Sequence, residues 1–152
     1  MTDELELEPE PPNDIEAEKC VLAAMSMSSD YAGVGVELLT PGDFYRVGHR
    51  ELFSTIRTLY LDAKPIDIIT ISDELRSRKR LTESGGANYI MAVISQLPSG
   101  SRIAEYAAIV KKKRLQRDLM LYGGKVAEAA QAAEDGMEVY SQALDWLVQL
   151  TQ

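Results

Sequence analysis

From about His49 to Leu61 the apolar residues Leu52, Phe53, Ile56, Leu59 and Tyr60 fall one, three, three and one positions apart, the stepping of one face of an α-helix. This is the clearest periodic signal in the chain, and weaker versions of it recur between breakers along most of the rest. Such a pattern constrains the chain to packed helices. Asn13 can cap a helix whose third position is Glu16, and Ile15, Val21, Leu22 and Met25 give that helix an apolar face to about Ser28. Tyr31, Val34, Leu38 and Leu39 predict a short second helix, weakened by Gly33 and Gly35 and ended by Thr40-Pro41-Gly42. Asp43-Phe44-Tyr45 then reads as a buried aromatic turn.

Ile66, Ile68, Ile69 and Ile71 make the one β-branched run that could be a strand. Thr70 or Ser72 followed by Asp73 and Glu74 looks instead like a helix start, so the helical reading is preferred. Beyond a turn at Gly85-Gly86, Tyr89, Ile90, Val93, Ile94 and Leu97 repeat at helical spacing until Pro98-Ser99-Gly100. Ser101 opens the longest periodic region, with Ile103, Tyr106, Ala107 and Val110 before a basic run and Leu115, Leu119, Tyr122 and Val126 after it. The apolar face changes direction across that run, which predicts successive packing partners for the two halves. Glu134-Asp135-Gly136 ends the region, and Met137, Tyr140, Leu144, Leu147 and Val148 supply a final amphipathic helix. The expected fold is all-α: a compact six-helix globular head followed by a C-terminal antiparallel helical hairpin.

The expected boundaries are a flexible acidic tail over 1–12, the head over 13–114 and the hairpin over 115–152. Charge supports the first of these. The net charge is −8, yet residues 1–18 hold eight acids and no Lys or Arg, leaving 16 acids and 16 bases for the remainder. At 152 residues, 45% hydrophobic and 26% charged, the chain has enough apolar material for one core. No run approaches the roughly 18 apolar residues of a membrane span, and the acidic start does not resemble a signal peptide, so a cytoplasmic protein is expected. One cysteine, Cys20, excludes an internal disulfide, and one cysteine with one histidine cannot assemble a zinc site.

A two-helix hairpin alone exposes an apolar side. A second copy of the chain is the preferred cover, with Leu119, Tyr122, Val126, Tyr140, Leu144 and Leu147 as the self-association residues and Trp146 among the apolar side chains available; the alternative is a hairpin folded back on the head.

Catalytic chemistry finds no support. The sole Gly-Lys pair, Gly124-Lys125, is followed by Val126, so no phosphate-binding loop is present; Gly-x-Gly-x-x-Gly and Gly-x-Ser-x-Gly are also absent. His49 is the only imidazole, and a structural role packed on Phe44 or Tyr45 is favoured over catalysis. Cys20 reads as a buried, inert thiol. Glu16 and Glu18 stand about 200° apart around a helix and cannot share a ligand. No catalytic, cofactor-binding or metal-binding residue is assigned. The basic clusters Arg76/Arg78/Lys79/Arg80 and Lys111/Lys112/Lys113/Arg114/Arg117 resemble a nucleic-acid footprint but lack interleaved aromatics, and a solvated face that also pairs with acids is the preferred reading.

Pro-Pro-Asn-Asp-Ile-Glu-Ala-Glu-Lys-Cys-Val-Leu at 11–22, Asp-Phe-Tyr-Arg at 43–46 with His49 and Phe53, Pro-Ile-Asp-Ile-Ile-Thr-Ile at 65–71, Gly-Gly-x-x-Tyr at 85–89, Leu-Pro-Ser at 97–99 and Ala107-x-Ile109-Val110 stand in one order. Together they resemble the N-terminal domain of the bacterial replicative DNA helicase of the DnaB family, over about Pro11 to Leu121. The resemblance implies a helical head and hairpin, pairing of domains into dimers, three dimers forming a collar over a hexameric motor ring, and docking of primase on the collar. It also implies a RecA-like ATPase domain beyond Gln152, absent from this chain, which would carry ATP, magnesium and most DNA contacts; no cofactor is expected in the residues present. Ile15, Val21, Leu22, Phe44, Leu52, Phe53, Ile56, Ile90, Ile94 and Leu97 are the expected core. Glu16, Tyr89 and Met120 are the candidate primase-docking residues, Tyr89 either presenting its hydroxyl outward or lying buried. Gly123-Gly124 inside the long helix predicts a bend or a close helix approach.

The expected function is thus a noncatalytic assembly and docking domain of a replicative helicase, with itself, primase and a helicase loader as partners and no membrane. Two alternatives compete: a stand-alone adaptor or decoy that enters another helicase ring, and a helical DNA-binding protein using the basic clusters.

Overall fold

The computed structural model describes residues 10–96 and 98–151, and all of their regular structure is helical. Seven α-helices are present among them: α1 (Ile15–Met27), α2 (Ser29–Leu38), α3 (Val47–Leu61), α4 (Ile68–Ser77), α5 (Gly86–Ile94), α6 (Ile103–Ala132) and α7 (Gly136–Gln149). Single 3₁₀ turns at Pro41–Asp43 and Gly100–Arg102 precede α3 and α6. Most of the expected acidic tail, and the expected core residue Leu97, lie outside the described residues.

Side-chain caps set the starts of α1, α2, α4 and α7, and two of these starts differ from the expectation. Asp14, not Asn13, caps α1, its carboxylate accepting from the Ala17 amide at 2.9 Å. Helix α4 begins at Ile68, earlier than Thr70 or Ser72 would allow, because Asp67 and Thr70 form a reciprocal capping box: Asp67 Oδ1 accepts from Thr70 N at 2.9 Å and Thr70 Oγ1 from Asp67 N at 3.0 Å. From Ile68 on the β-branched run is therefore helical, with Ile71 buried and Ile69 exposed, while Ile66 lies before the helix.

The chain forms two compact units, one over Asn13–Arg114 and one comprising the chain from Leu115 onward with the stretch ending at Pro12. In the first, α1 packs on α2, α3 and α5, and α4 packs on α3 and α5. Val21, Leu22, Met25, Phe44, Leu52, Phe53, Ile56, Ile71, Leu75 and Ile90 are fully enclosed, and the Phe44 and Phe53 rings meet with centroids 5.0 Å apart. Ile15 and Ile94, expected in the core, are half-buried. In the second unit Tyr122 of α6 donates its hydroxyl hydrogen to the Ala143 carbonyl of α7 at 3.0 Å, and the Lys125 ammonium stands 3.9 Å above the Trp146 ring. Arg117 Nη1 donates to the Pro12 carbonyl at 2.9 Å. Gly123 and Gly124 leave α6 continuous.

Candidate functional site

A connected polar group lies inside the first unit. Glu18 is on α1, on the side opposite Glu16, and the helix that exposes Glu16 to solvent carries Glu18 into the interior, where it is 1% exposed. A carboxylate there requires donors. Three meet it: the Tyr45 amide at 2.8 Å, the Arg46 amide at 3.5 Å and Nδ1 of His49, fully buried, at 2.8 Å. These contacts tie α1 to the turn before α3 and to the first turn of α3 itself. On the other side of the imidazole, Nε2 lies 2.7 Å from the hydroxyl of Tyr89 on α5, and the two rings stack with centroids 5.9 Å apart. Arg46 Nη1 donates to the same hydroxyl, its guanidinium 5.5 Å from the ring centre. Tyr89 is half-buried at the edge of a cavity of about 460 Å³ lined by Arg46, Val47, Glu83 and Gly85 among others.

Gly85 and Gly86 have φ of +97° and +80°, the left-handed region open to glycine at no steric cost. Gly85 also has no room for a side chain, since a Cβ there would stand 2.7 Å from Cδ1 of Tyr89. The turn before α5 is shaped to that ring. The sequence reading placed His49 against Phe44 or Tyr45 and did not pair it with Glu18 or Tyr89. A signal existed: a glutamate on the enclosed side of a helix demands a partner, and the chain has one imidazole.

Of the other expected docking residues, Glu16 is exposed on the first turn of α1 with an ion pair to Lys19 at 3.3 Å, and Met120 is exposed on α6 in the second unit. The expected self-association residues divide into two groups. Leu119, Tyr140, Leu144 and Leu147 are exposed, whereas Tyr122 and Val126 are half-buried, Tyr122 bonded to α7. On α7 the half-buried Val139, Ala143 and Trp146, continued by Leu150 at the C-cap, form one stripe, and Tyr140, Leu144 and Leu147 form a second, offset by one position and so about 100° around the helix.

The basic clusters are partly occupied by internal partners. Asp43, buried, takes Arg114 at 3.1 Å and Lys111 at 3.7 Å. Arg78, the C-cap residue of α4, holds Glu74 of that helix and reaches the Thr58 hydroxyl of α3 at 2.6 Å. Cys20 is half-buried, its thiol pushed up from the ordinary value by burial and then by Glu16 and Asp14, which disfavours the reactive thiolate.

Residues 10–112 match the family model described as "DnaB-like helicase N terminal domain". The chain is 37% identical over 130 residues to the replicative DNA helicase DnaB of Mycobacterium leprae, covering 86% of this chain and 22% of that protein. It is 32% identical to the replicative DNA helicase DnaC of Bacillus subtilis, covering 84% of this chain and 28% of that one. It therefore spans about a quarter of the length of these relatives. Among solved structures, the N-terminal domain of DnaB helicase from Mycobacterium tuberculosis superposes with a TM-score of 0.86 at 36% identity, covering 91% of this chain and 99% of that one. A DnaB-like replicative helicase, whose interactions with primase were described with its structure, shares the fold at a TM-score of 0.71 and 17% identity over 90% of this chain and 31% of that one. Fold and comparisons define the class, an all-helical domain of the kind found in the N-terminal part of DnaB helicases. The chain belongs to the DnaB-like helicase N-terminal domain family.

Proposed function

We propose that this chain is the noncatalytic assembly and docking domain of a replicative DNA helicase: it pairs with copies of itself into the dimers of a trimer-of-dimers collar and recruits primase. In this reading the first unit is the six-helix head and the second is the hairpin through which copies pair. The observation that carries it is the second apolar stripe of α7, Tyr140, Leu144 and Leu147, exposed beside one already covered by α6. Leu119 extends the exposed apolar surface on α6. Tyr122 supports the pairing from behind by joining α6 to α7, and the half-buried Val126 stands about one turn further along α6. Primase docks through Glu16, Tyr89 and Met120, in keeping with the primase interactions described for the DnaB-like neighbour. A loader is a further partner, and the cell compartment is the bacterial cytoplasm. ATP and magnesium act in the motor domain of the parent helicase.

The test is the mass in solution at tens of micromolar, with and without Leu144→Glu and Leu147→Glu. The parent chain is expected to be dimeric or larger and the double variant a folded monomer. A monomeric parent would remove the assembly role, and failure of the same bacterium's primase to bind the chain in a concentrated assay would remove the docking role.

A further inference from the structure

We propose that Glu18 and His49 are positioning residues that hold Tyr89 in one orientation and one hydrogen-bonding polarity at the surface; the bearing on docking rests on the reading of Tyr89 as a docking residue, whereas the positioning itself does not. The direction of the chain of bonds follows from which atoms have hydrogens to give. Both carboxylate oxygens of Glu18 already receive backbone N–H groups, Oε2 from Tyr45 and Oε1 from Arg46, so Nδ1 of His49 is left to donate to Oε1. Were Nε2 protonated as well, imidazolium and guanidinium would both press N–H groups onto the Tyr89 oxygen. With Nε2 bare, every hydrogen has an acceptor: Arg46 donates to the Tyr89 oxygen, Tyr89 O–H donates to Nε2 at 2.7 Å, and Nδ1–H donates to Glu18 at 2.8 Å.

The consequence is at the surface. The Tyr89 hydrogen points inward, so the hydroxyl meets a partner as an acceptor, and Arg46 beside it offers the remaining donors. A second, unrelated feature converges on the same side chain: the left-handed Gly85, whose missing Cβ leaves the space that the Tyr89 ring edge fills. A tyrosine needed only for packing would not require both its hydroxyl and its ring edge to be seated by separate devices.

Because His49 is the only histidine, ¹⁵N labelling of histidine in the full chain gives one pair of ring nitrogens, whose shifts and couplings report the tautomer directly. The expected pattern is neutral Nδ1–H with an accepting Nε2, and Tyr89→Phe should move the Nε2 resonance while leaving Nδ1 in place. An imidazolium pattern at neutral pH, an Nε2–H tautomer, or no response to Tyr89→Phe would overturn the assignment. Positioning is read from His49→Asn, whose amide can replace the Nδ1 donor but not reach Tyr89. That variant should keep the parental fold, let the Tyr89 side chain sample more than one χ1 rotamer by NMR couplings, and weaken binding of the same bacterium's primase roughly fivefold, the value of about one hydrogen bond. If His49→Asn does not fold, Tyr89→Phe removes the same bond and is judged by the same χ1 readout. A side chain at position 89 that already averages over rotamers in the parent, or that keeps the single parental rotamer in the variants, sinks the positioning role. If Tyr89→Ala leaves primase binding unchanged, the docking reading fails while the rotamer and tautomer results still decide the relay; if Tyr89→Ala weakens binding and His49→Asn does not, the relay has no part in docking.

Discussion

Removing the imidazole at position 49 takes one donor from a carboxylate in the interior, so His49→Ala is expected to destabilise the first unit. The pair with Glu18 is almost completely enclosed, and leaving a buried acceptor short of a donor costs about 1–3 kcal/mol, measured as a fall in urea unfolding free energy. A loss under about 1 kcal/mol would mean that water reaches Glu18 when the ring is gone. At position 85 the effect comes through the backbone: an alanine there must hold φ near +97°, at a cost of roughly 1–2 kcal/mol, and its Cβ must displace the Tyr89 ring. Gly85→Ala should therefore lower stability and shift Tyr89 resonances together, whereas Gly86→Ala, with open space around its Cβ, should show the backbone cost alone. The raised thiol pKa of Cys20 predicts that alkylation by iodoacetamide at pH 8 is slower than for an unfolded-state control and accelerates only at higher pH. Its sign for stability is a loss as pH rises, because the unfolded chain releases the thiol proton first. The positions of Val21, Leu22, Phe44, Phe53 and Ile56 were legible from spacing because helical periodicity counts only neighbours on one helix. The Glu18–His49 contact joins residues 31 apart, and no local period encodes that.

Helices were legible as elements, but their first residues depended on which polar side chain reached back to an amide. Asn13 and Asp14 are both good caps, and the choice between them is made by geometry that spacing does not contain. For α4 the decisive residue is Asp67, overlooked because the isoleucines after it carry a β-branched composition. Asp67→Ala should cost about 1 kcal/mol of stability, read from thermal unfolding followed by circular dichroism, while Asp73→Ala, inside the helix and exposed, should cost much less. Helix α6 presents the opposite case. Among the described residues Gly123 and Gly124 have nothing within contact range of a Cβ, so no neighbour described accounts for two residues that each weaken a helix by roughly 1 kcal/mol relative to alanine. Substituting both by alanine should raise the melting temperature by several degrees. If the same double variant loses self-association by light scattering, the glycines serve a close approach by a second chain; unchanged association would assign them no role in pairing.

At the scale of the whole molecule, the two units differ in how much of their apolar surface they can enclose. Asn13–Arg114 closes a core of its own. In the second unit, α6 and α7 together cover only one stripe of α7 and leave Leu144 and Leu147 47% and 41% exposed. The set chosen from spacing joins exposed Leu119, Tyr140, Leu144 and Leu147 with half-buried Tyr122 and Val126, because two apolar stripes one position apart blur into a single periodic signal until the partner helix is placed. The same limit applied to the basic clusters, where sequence counts charges but not the buried Asp43 that draws in Lys111 and Arg114. DNA binding by the isolated chain is accordingly expected to be weak and to vanish steeply as salt is raised, which fluorescence anisotropy with a single-stranded oligonucleotide would measure. The two leucines allow a sharper prediction. Fully burying a leucine contributes about 1.5–3 kcal/mol, so covering sides already near half-shielded contributes about 1 kcal/mol each in a copy. A two-fold pairing would use both residues on both copies, giving about 4 kcal/mol before the desolvation of four introduced carboxylates is counted. Leu144→Glu with Leu147→Glu should then weaken self-association by roughly a thousandfold or more, with the unfolding free energy of the head unchanged because neither residue belongs to its core. Sedimentation equilibrium over a range of concentrations reads that change directly, and a shift of less than tenfold would place the pairing surface elsewhere on the chain.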